Sequence, residues 1–188
     1  CVAAYLEVEP GMRVIDACAG GGGKTLHICA LMQNKGKIIA MDTEAWKLDE
    51  LKRRARRGDC NIIESRHIDS TKVIKRLKEC ADRILLDVPC SGIGVLKRNP
   101  DAKWKLDITY LDEVRQKQQQ ILDLYSSMLK PNGKLVYATC SILPSENQKQ
   151  VEIFLKNHPD FSLEAEQTLL PSETGFDGFY MARLLKNK

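Results

Sequence analysis

Arg13-Val14-Ile15-Asp16-Ala17-Cys18-Ala19-Gly20-Gly21-Gly22-Gly23-Lys24-Thr25 decides how this chain folds. Arg13–Asp16 is a short apolar run closing on an acid, and it reads as a strand. Four glycines follow. A helical pattern then covers Lys24–Gln33 and ends at Asn34-Lys35-Gly36. Strand, glycine turn and helix in this order open a βαβ unit. Glycine lets the backbone come close to a ligand, and the helix N-terminus presents free N–H groups.

The same alternation continues outward. Lys37–Met41 is a second strand followed by Asp42, and Glu44–Arg57 is a helix with Ala45, Leu48, Leu51 and Ala55 near 3.6-residue spacing. Asn61–Glu64 is a third strand and Thr71–Glu79 a helix. Arg83–Asp87 is a fourth strand. Val88–Thr109, with Gly92, Gly94 and Pro100, is a long loop of the kind that binds or covers something. Tyr110–Leu129 is a helix, Lys134–Thr139 a fifth strand and Glu146–Asn157 a helix; Phe161–Ala165 and Gly178–Leu185 are two last strands. Alternating strands and helices predict an α/β fold with a mainly parallel sheet. Two consecutive strands at the end predict a hairpin and an antiparallel edge.

A length of 188 residues favours one domain, and no repeat, low-complexity tract or linker divides it. Hydrophobic residues at 43% and charged residues at 29% fit a soluble globular chain. No segment approaches the roughly 20 apolar residues of a membrane span, so no membrane partner is expected. The net charge of +4 is compatible with nucleic acid without demonstrating it. The sequence opens on Cys1 with no Met and is expected to be a piece of a longer chain. Seven cysteines lie at positions 1, 18, 29, 60, 80, 90 and 140, with no CxxC and no histidine at ligand spacing. This pattern predicts a reduced, cytoplasmic protein with no metal site and no structural disulfide.

Three cofactors compete for the glycine loop. A P-loop needs Gly-x-x-x-x-Gly-Lys-Thr, but Cys18 stands where its first glycine belongs. A dinucleotide fingerprint would put its third glycine on Thr25. S-adenosylmethionine is the third: a strand-one acid and a glycine turn cradle the methionine part, and an acid ending strand two bonds the ribose. Asp42 stands at that ribose position, and the P-loop leaves it without a role. Asp69, after strand three, is placed to reach an adenine edge. Each acid alone reads equally as a helix cap or a solvated loop residue. Their recurrence as Asp16, Asp42, Asp69 and Asp87 at successive strand ends favours a shared site.

Cys90, in Asp87-Val88-Pro89-Cys90-Ser91-Gly92, and Cys140, in Tyr137-Ala138-Thr139-Cys140-Ser141, each follow a buried-type strand. In one parallel sheet both thiols emerge at the carboxyl edge, where open α/β sheets bind ligands. A thiolate adding at C6 of a cytosine makes C5 nucleophilic enough to take a methyl group. The ring then needs an acid near N3 and a base for the C5 proton. Asp87 is placed to serve the ring edge, and Lys24 to lower a thiol pKa or assist proton transfer. This chemistry does not choose between the cysteines. The Pro89-Cys90 pair is similar to the nucleophile motif of DNA cytosine-C5 methyltransferases and favours Cys90.

From about Pro10 to its end the chain resembles the RNA cytosine-C5 methyltransferases of the Nol1/Nop2/Sun (Fmu) type, most like the bacterial 16S ribosomal RNA enzymes. The motifs are Asp16-Ala17-Cys18…Gly22-Gly23-Lys24-Thr25, Asp87–Gly92, Arg98-Asn99-Pro100-Asp101-Ala102-Lys103-Trp104, Tyr137–Ser141 with Glu146-Asn147, and Asp177-Gly178-Phe179-Tyr180-Met181-Ala182-Arg183. The resemblance implies a Rossmann-like class I methyltransferase fold, with a mainly parallel seven-stranded sheet and an antiparallel C-terminal strand. It implies that residues 1–188 are the catalytic domain, and that an RNA-binding region precedes it in family members. Cys140 would be the nucleophile and Cys90 would help release the RNA adduct, reversing the order favoured by Pro89-Cys90. Asp87 would hold the cytosine edge beside the cofactor, with Lys24 near the base. Asp16, Cys18, Ala19, Gly20, Gly21, Gly22, Gly23, Lys24, Thr25, Asp42, Asp69 and Asp87 would bind S-adenosylmethionine. Gly20-Gly21 stands where the family usually has Ala-Pro, a loss of loop rigidity worth about 0.4–1 kcal/mol.

Ribosomal RNA is the expected partner and a monomer the expected state. Lys97, Arg98, Lys103 and Lys105 in the long loop are the RNA candidates, with Trp104 interleaved. Packing under the loop is the plainer role for Trp104. The basic run Lys52-Arg53-Arg54…Arg56-Arg57 reads as an RNA patch or as a solvated helix face diluted by Asp49, Glu50 and Asp59. His27, His67 and His158 read as structural, and Cys18, Cys29, Cys60 and Cys80 as thiols without chemistry. Another methyl acceptor (tRNA, a protein or a small molecule), an NTPase, or a non-catalytic RNA-binding or assembly role stays open.

Overall fold

Ile84 and Leu86 join one hydrophobic cluster and Leu85 another, and all three are fully buried. Leu135 and Tyr137 divide from Val136 and Ala138 in the same way. Apolar residues at every position of a strand need cover on both faces of the sheet, because successive side chains point to opposite sides. The computed structural model describes residues 2–188, and at Lys105 the backbone alone. It supplies that cover with helices on both faces.

The elements run α1 (Val2–Tyr5), β1 (Arg13–Asp16), α2 (Gly23–Leu31), β2 (Lys37–Asp42), α3 (Ala45–Arg57), β3 (Ile63–His67), α4 (Thr71–Lys75), β4 (Ala81–Asp87), α5 (Ile108–Tyr125), β5 (Leu129–Thr139), α6 (Gln148–Asn157), β6 (Phe161–Leu169), α7 (Pro171–Thr174) and β7 (Phe179–Lys186). Seven strands form one sheet in the order β3-β2-β1-β4-β5-β7-β6. β3, β2, β1, β4 and β5 pair in parallel, and β7 is antiparallel to both β5 and β6. This is the mainly parallel seven-stranded α/β sheet with an antiparallel C-terminal strand that the resemblance implies.

The two last strands form the expected antiparallel hairpin at one end of the sheet. β7 inserts between β5 and β6, which leaves β6 at the edge and parallel to β5. Burial explains the order: Tyr180, Met181, Ala182 and Leu184 of β7 are fully buried, whereas most of β6 is exposed. β3 begins two residues later than expected, at Ile63, with its side chains half-buried as suits the other edge. The helix expected over Thr71–Glu79 stops at Lys75, and Glu79 takes a positive φ of 49° before β4. β5 starts at Leu129, five residues early, because Ala81 of β4 pairs with it there. The long loop holds two 3₁₀ turns, Ile93–Val95 and Pro100–Lys105. Asp107 then caps α5 by accepting from the Tyr110 N–H at 2.7 Å.

Candidate active site

The parallel register gathers the strand-end acids. Asp16 pairs with both Ala40 and Leu85, and Asp87 pairs with Ala138, so β1, β2, β4 and β5 end at one edge. The glycine loop crosses this edge between β1 and α2. Gly20 and Gly22 adopt φ of 51° and 83°, in the left-handed region that favours glycine. At Gly22 a Cβ would lie 2.6 Å from the Leu51 side chain of α3, so this loop rests directly on that helix. Arg54 braces it by donating to the Gly21 carbonyl at 2.7 Å. This role was not legible in the basic run of α3. Two other members of the run, Lys52 and Arg53, pair with Asp49 and Glu50 on the helix surface.

Asp16 is buried, and its Oδ2 accepts from the Thr25 hydroxyl at 2.7 Å. Its Oδ1 has no partner among the described residues. Burial pushes this carboxyl up to about 7, against the opposing hydrogen bond from Thr25. Asp42 accepts from the Gly20 and Glu44 backbone N–H groups, both at 2.9 Å, which joins the end of β2 to the glycine loop. Beside these groups lies a hollow of about 310 Å³, lined by Cys18, Gly20, Asp42, Glu44, Asp87 and Tyr125 among others. Burial pushes the Cys18 thiol strongly up, which keeps it neutral.

A cofactor with a sugar and a charged tail fits this hollow. Asp42 stands at its wall with lone pairs beyond its two N–H contacts, and of the four loop glycines Gly20 lines it. Asp69 is not among the lining residues; it is exposed and accepts from the Ser70 hydroxyl at 2.9 Å. Glu44, Lys47, Lys117 and Tyr125 also line the hollow and had no motif to mark them.

Lys24, at the start of α2, forms an ion pair with Asp87. Its ammonium also lies 5.6 Å from the centre of the Phe179 ring. Burial raises the Asp87 carboxyl above its ordinary value, and the Lys24 charge and hydrogen bond oppose the rise. Lys24 opens on a second, more apolar hollow of about 320 Å³ with His27, Phe176, Asp177 and Phe179.

The two cysteines meet. Cys90 Sγ lies 3.0 Å from Cys140 Sγ, and both are free thiols. The hydrogen bond between the two sulfurs holds Cys140 below the ordinary thiol range and pushes Cys90 well above it. Lys24 also lowers Cys140, while burial and Asp87 oppose. The arrangement therefore provides one activated sulfur, one proton-bearing sulfur and a Lys–Asp pair at a single sheet edge.

Among the RNA candidates, Arg98 pairs with Asp177 at 2.5 Å. Trp104 is 80% exposed and does not pack under the loop; the Lys103 ammonium lies 4.8 Å from its ring centre. The side chain of Lys105 lies outside the described residues. His67 and His158 bond to the Thr43 carbonyl and to Asp123, at 2.9 and 3.1 Å. His27 is exposed.

The family model described as 16S rRNA methyltransferase RsmB/F matches residues 3–185. The chain is 40% identical, over 98% of its length, to ribosomal RNA small subunit methyltransferase B of Pasteurella multocida. It is 37% identical, again over 98%, to the probable enzyme of that name from Synechocystis. It spans 44% and 45% of these two curated relatives, less than half their length. The structure of NSun6 from Pyrococcus horikoshii with SFG superposes with a TM-score of 0.90 at 28% identity, covering 100% of this chain and 51% of that one.

Proposed function

The chain belongs to the 16S rRNA methyltransferase RsmB/F family, and from that premise we propose that it methylates C5 of a cytosine in ribosomal RNA. Residues 1–188 are its catalytic domain, and S-adenosylmethionine is the methyl donor. SFG, which accompanies the NSun6 neighbour, is an analogue of that donor. The observation that carries the cytosine chemistry is the 3.0 Å approach of Cys90 and Cys140 beside the Lys24–Asp87 pair.

Cys140 attacks C6 of a cytosine held out of its stack, since a stacked base hides C6. Its lowered pKa makes the thiolate available. A bond forms between Sγ and C6, and the electron pair of the C5–C6 double bond moves toward C5 and the N3 edge. Asp87, held in place by its ion pair with Lys24, serves that edge of the ring. Cys18, Gly20 and Asp42 would hold S-adenosylmethionine, which when bound would offer an electrophilic methyl group to C5. Solvent water takes the C5 proton, the C5–H electron pair restores the double bond, and the Sγ–C6 pair leaves with the Cys140 sulfur. Cys90, protonated and adjacent, then gives its proton to the departing Cys140 sulfur and regains one from solvent, which is how it aids release. Arg98, Lys103 and Trp104 present charge and a stacking face to the RNA around the target.

RNA containing 5-fluorocytosine has no removable C5 proton, so it arrests the sequence after methyl transfer. A denaturation-stable adduct mapping to Cys140 is expected. An adduct through Cys90, or methyl transfer that survives Cys140→Ala, rejects this assignment.

A further inference from the structure

Glu146 has no part in the chemistry above, yet it is completely buried between the two cysteine loops. Its Oε1 accepts from the Ser91 N–H at 2.8 Å and from Gln118 Nε2 at 3.2 Å. Its Oε2 accepts from the Ser91 hydroxyl at 2.5 Å and from the Ser141 hydroxyl. Ser91 follows Cys90 and Ser141 follows Cys140, so one carboxyl oxygen joins the residues next to both thiols.

The neighbours of each cysteine are held on the other side as well. Gln118 donates to the Pro89 carbonyl at 3.0 Å. Thr139 donates to Asn147 Oδ1 at 2.6 Å, and Asn147 Nδ2 donates to the Ser141 carbonyl at 3.0 Å. The Glu146 backbone is fixed in turn, its carbonyl accepting from the Tyr137 hydroxyl at 2.7 Å. A buried carboxyl group is costly unless its acceptors are filled, and here four donors fill them.

We propose that Glu146 is a positioning residue that sets the separation of Cys90 and Cys140 by bridging Ser91 and Ser141. The proposal rests on the two-cysteine mechanism for its consequence, but its geometry does not. The Cys90 S–H reaches Cys140 only while both loops stay drawn together. Side-chain length is the property that matters. An aspartate at 146 is one methylene too short to reach both serines, whereas a glutamine keeps the length and the serine hydroxyls can turn to accept from its amide.

The test is alkylation of the full chain by iodoacetamide across a pH series, read on the Cys140 peptide by mass spectrometry. Glu146→Asp is expected to raise the pH midpoint of Cys140 by about one unit and to slow adduct formation with RNA by about 10²-fold. Glu146→Gln is expected to stay closer to the unsubstituted chain in both. A folded Glu146→Asp variant with an unchanged midpoint, or one closer to the unsubstituted chain than Glu146→Gln, overturns the proposal. Should Glu146→Asp fail to fold by circular dichroism, the Ser91→Ala, Ser141→Ala double variant takes its place: a raised midpoint supports the bridge and an unchanged one overturns it. Alkylation needs neither RNA nor cofactor, so failure here is distinct from failure of 5-fluorocytosine trapping.

Discussion

Cys90 and Cys140 stand 50 residues apart in sequence and 3.0 Å apart at their sulfurs. Parallel pairing of β4 with β5 brings them together, since Asp87 and Ala138 share a register position and each cysteine lies just beyond. Cys90→Ala removes the S–H that lowers Cys140. Two results are expected: the Cys140 thiol titrates at higher pH, and the RNA adduct accumulates instead of turning over. Gel-shift analysis under denaturing conditions reads the second. A variant that turns over like the unsubstituted enzyme would remove Cys90 from the release step.

Asp87→Asn keeps the shape of the side chain and leaves the Lys24 ammonium without its counter-ion. Methyl transfer is expected to fall on the order of 10²-fold or more, the usual contribution of a positioned acid–base group. Single-turnover transfer of labelled methyl to RNA measures it. Retention of full rate would show that the ring edge is served by another group.

Gly94 and Gly178 cross so closely that a Cβ on Gly94 would lie 2.3 Å from the Gly178 carbonyl oxygen. The Gly178 N–H donates to Gly94 O at 2.7 Å, and the Gly94 N–H donates to the Cys140 carbonyl at 3.0 Å. Gly94→Ala forces these strands of loop apart. Overpacking of this kind costs about 1–3 kcal/mol, equivalent to a Tm lower by roughly 2–12 °C for a chain of this size. Differential scanning calorimetry tests the value, and an unchanged Tm would mean that the crossing yields freely.

Asp16 has an ordinary carboxyl value of 3.8 and is raised to about 7 by burial. The folded state therefore binds its proton more tightly than the unfolded chain. The contribution of Asp16 to stability is full at low pH and falls as the pH rises from about 4 to about 7. Asp16→Asn should remove that slope, so the variant gains on the unsubstituted chain between pH 5 and pH 7.5 in urea unfolding. Parallel pH profiles for the two chains would count against a raised Asp16.

Much of the site was legible because strands and their terminal acids leave a local signature. Val14-Ile15-Asp16, Met41-Asp42 and Leu86-Asp87 each show apolar residues ending on a carboxylate, and three of the four recurrent acids do converge. Asp69 does not reach the hollow, because β3 runs to His67 and the chain turns to the surface beyond it. Trp104, expected to pack under its loop with base stacking as the other reading, is 80% exposed. Glu146 stood in a recognisable motif, yet an isolated glutamate in sequence reads as a surface residue.

By itself the sequence determined the alternation of strands and helices, the glycine loop, and the pair of cysteines at strand ends. These follow from local periodicity and from residue types whose backbone or side-chain chemistry is intrinsic. The insertion of β7 between β5 and β6, the Cys90–Cys140 contact and the burial of Glu146 were decided by tertiary structure. Strand order, and the partners of a buried polar group, depend on which distant surfaces exclude water together, and no local stretch of chain carries that information.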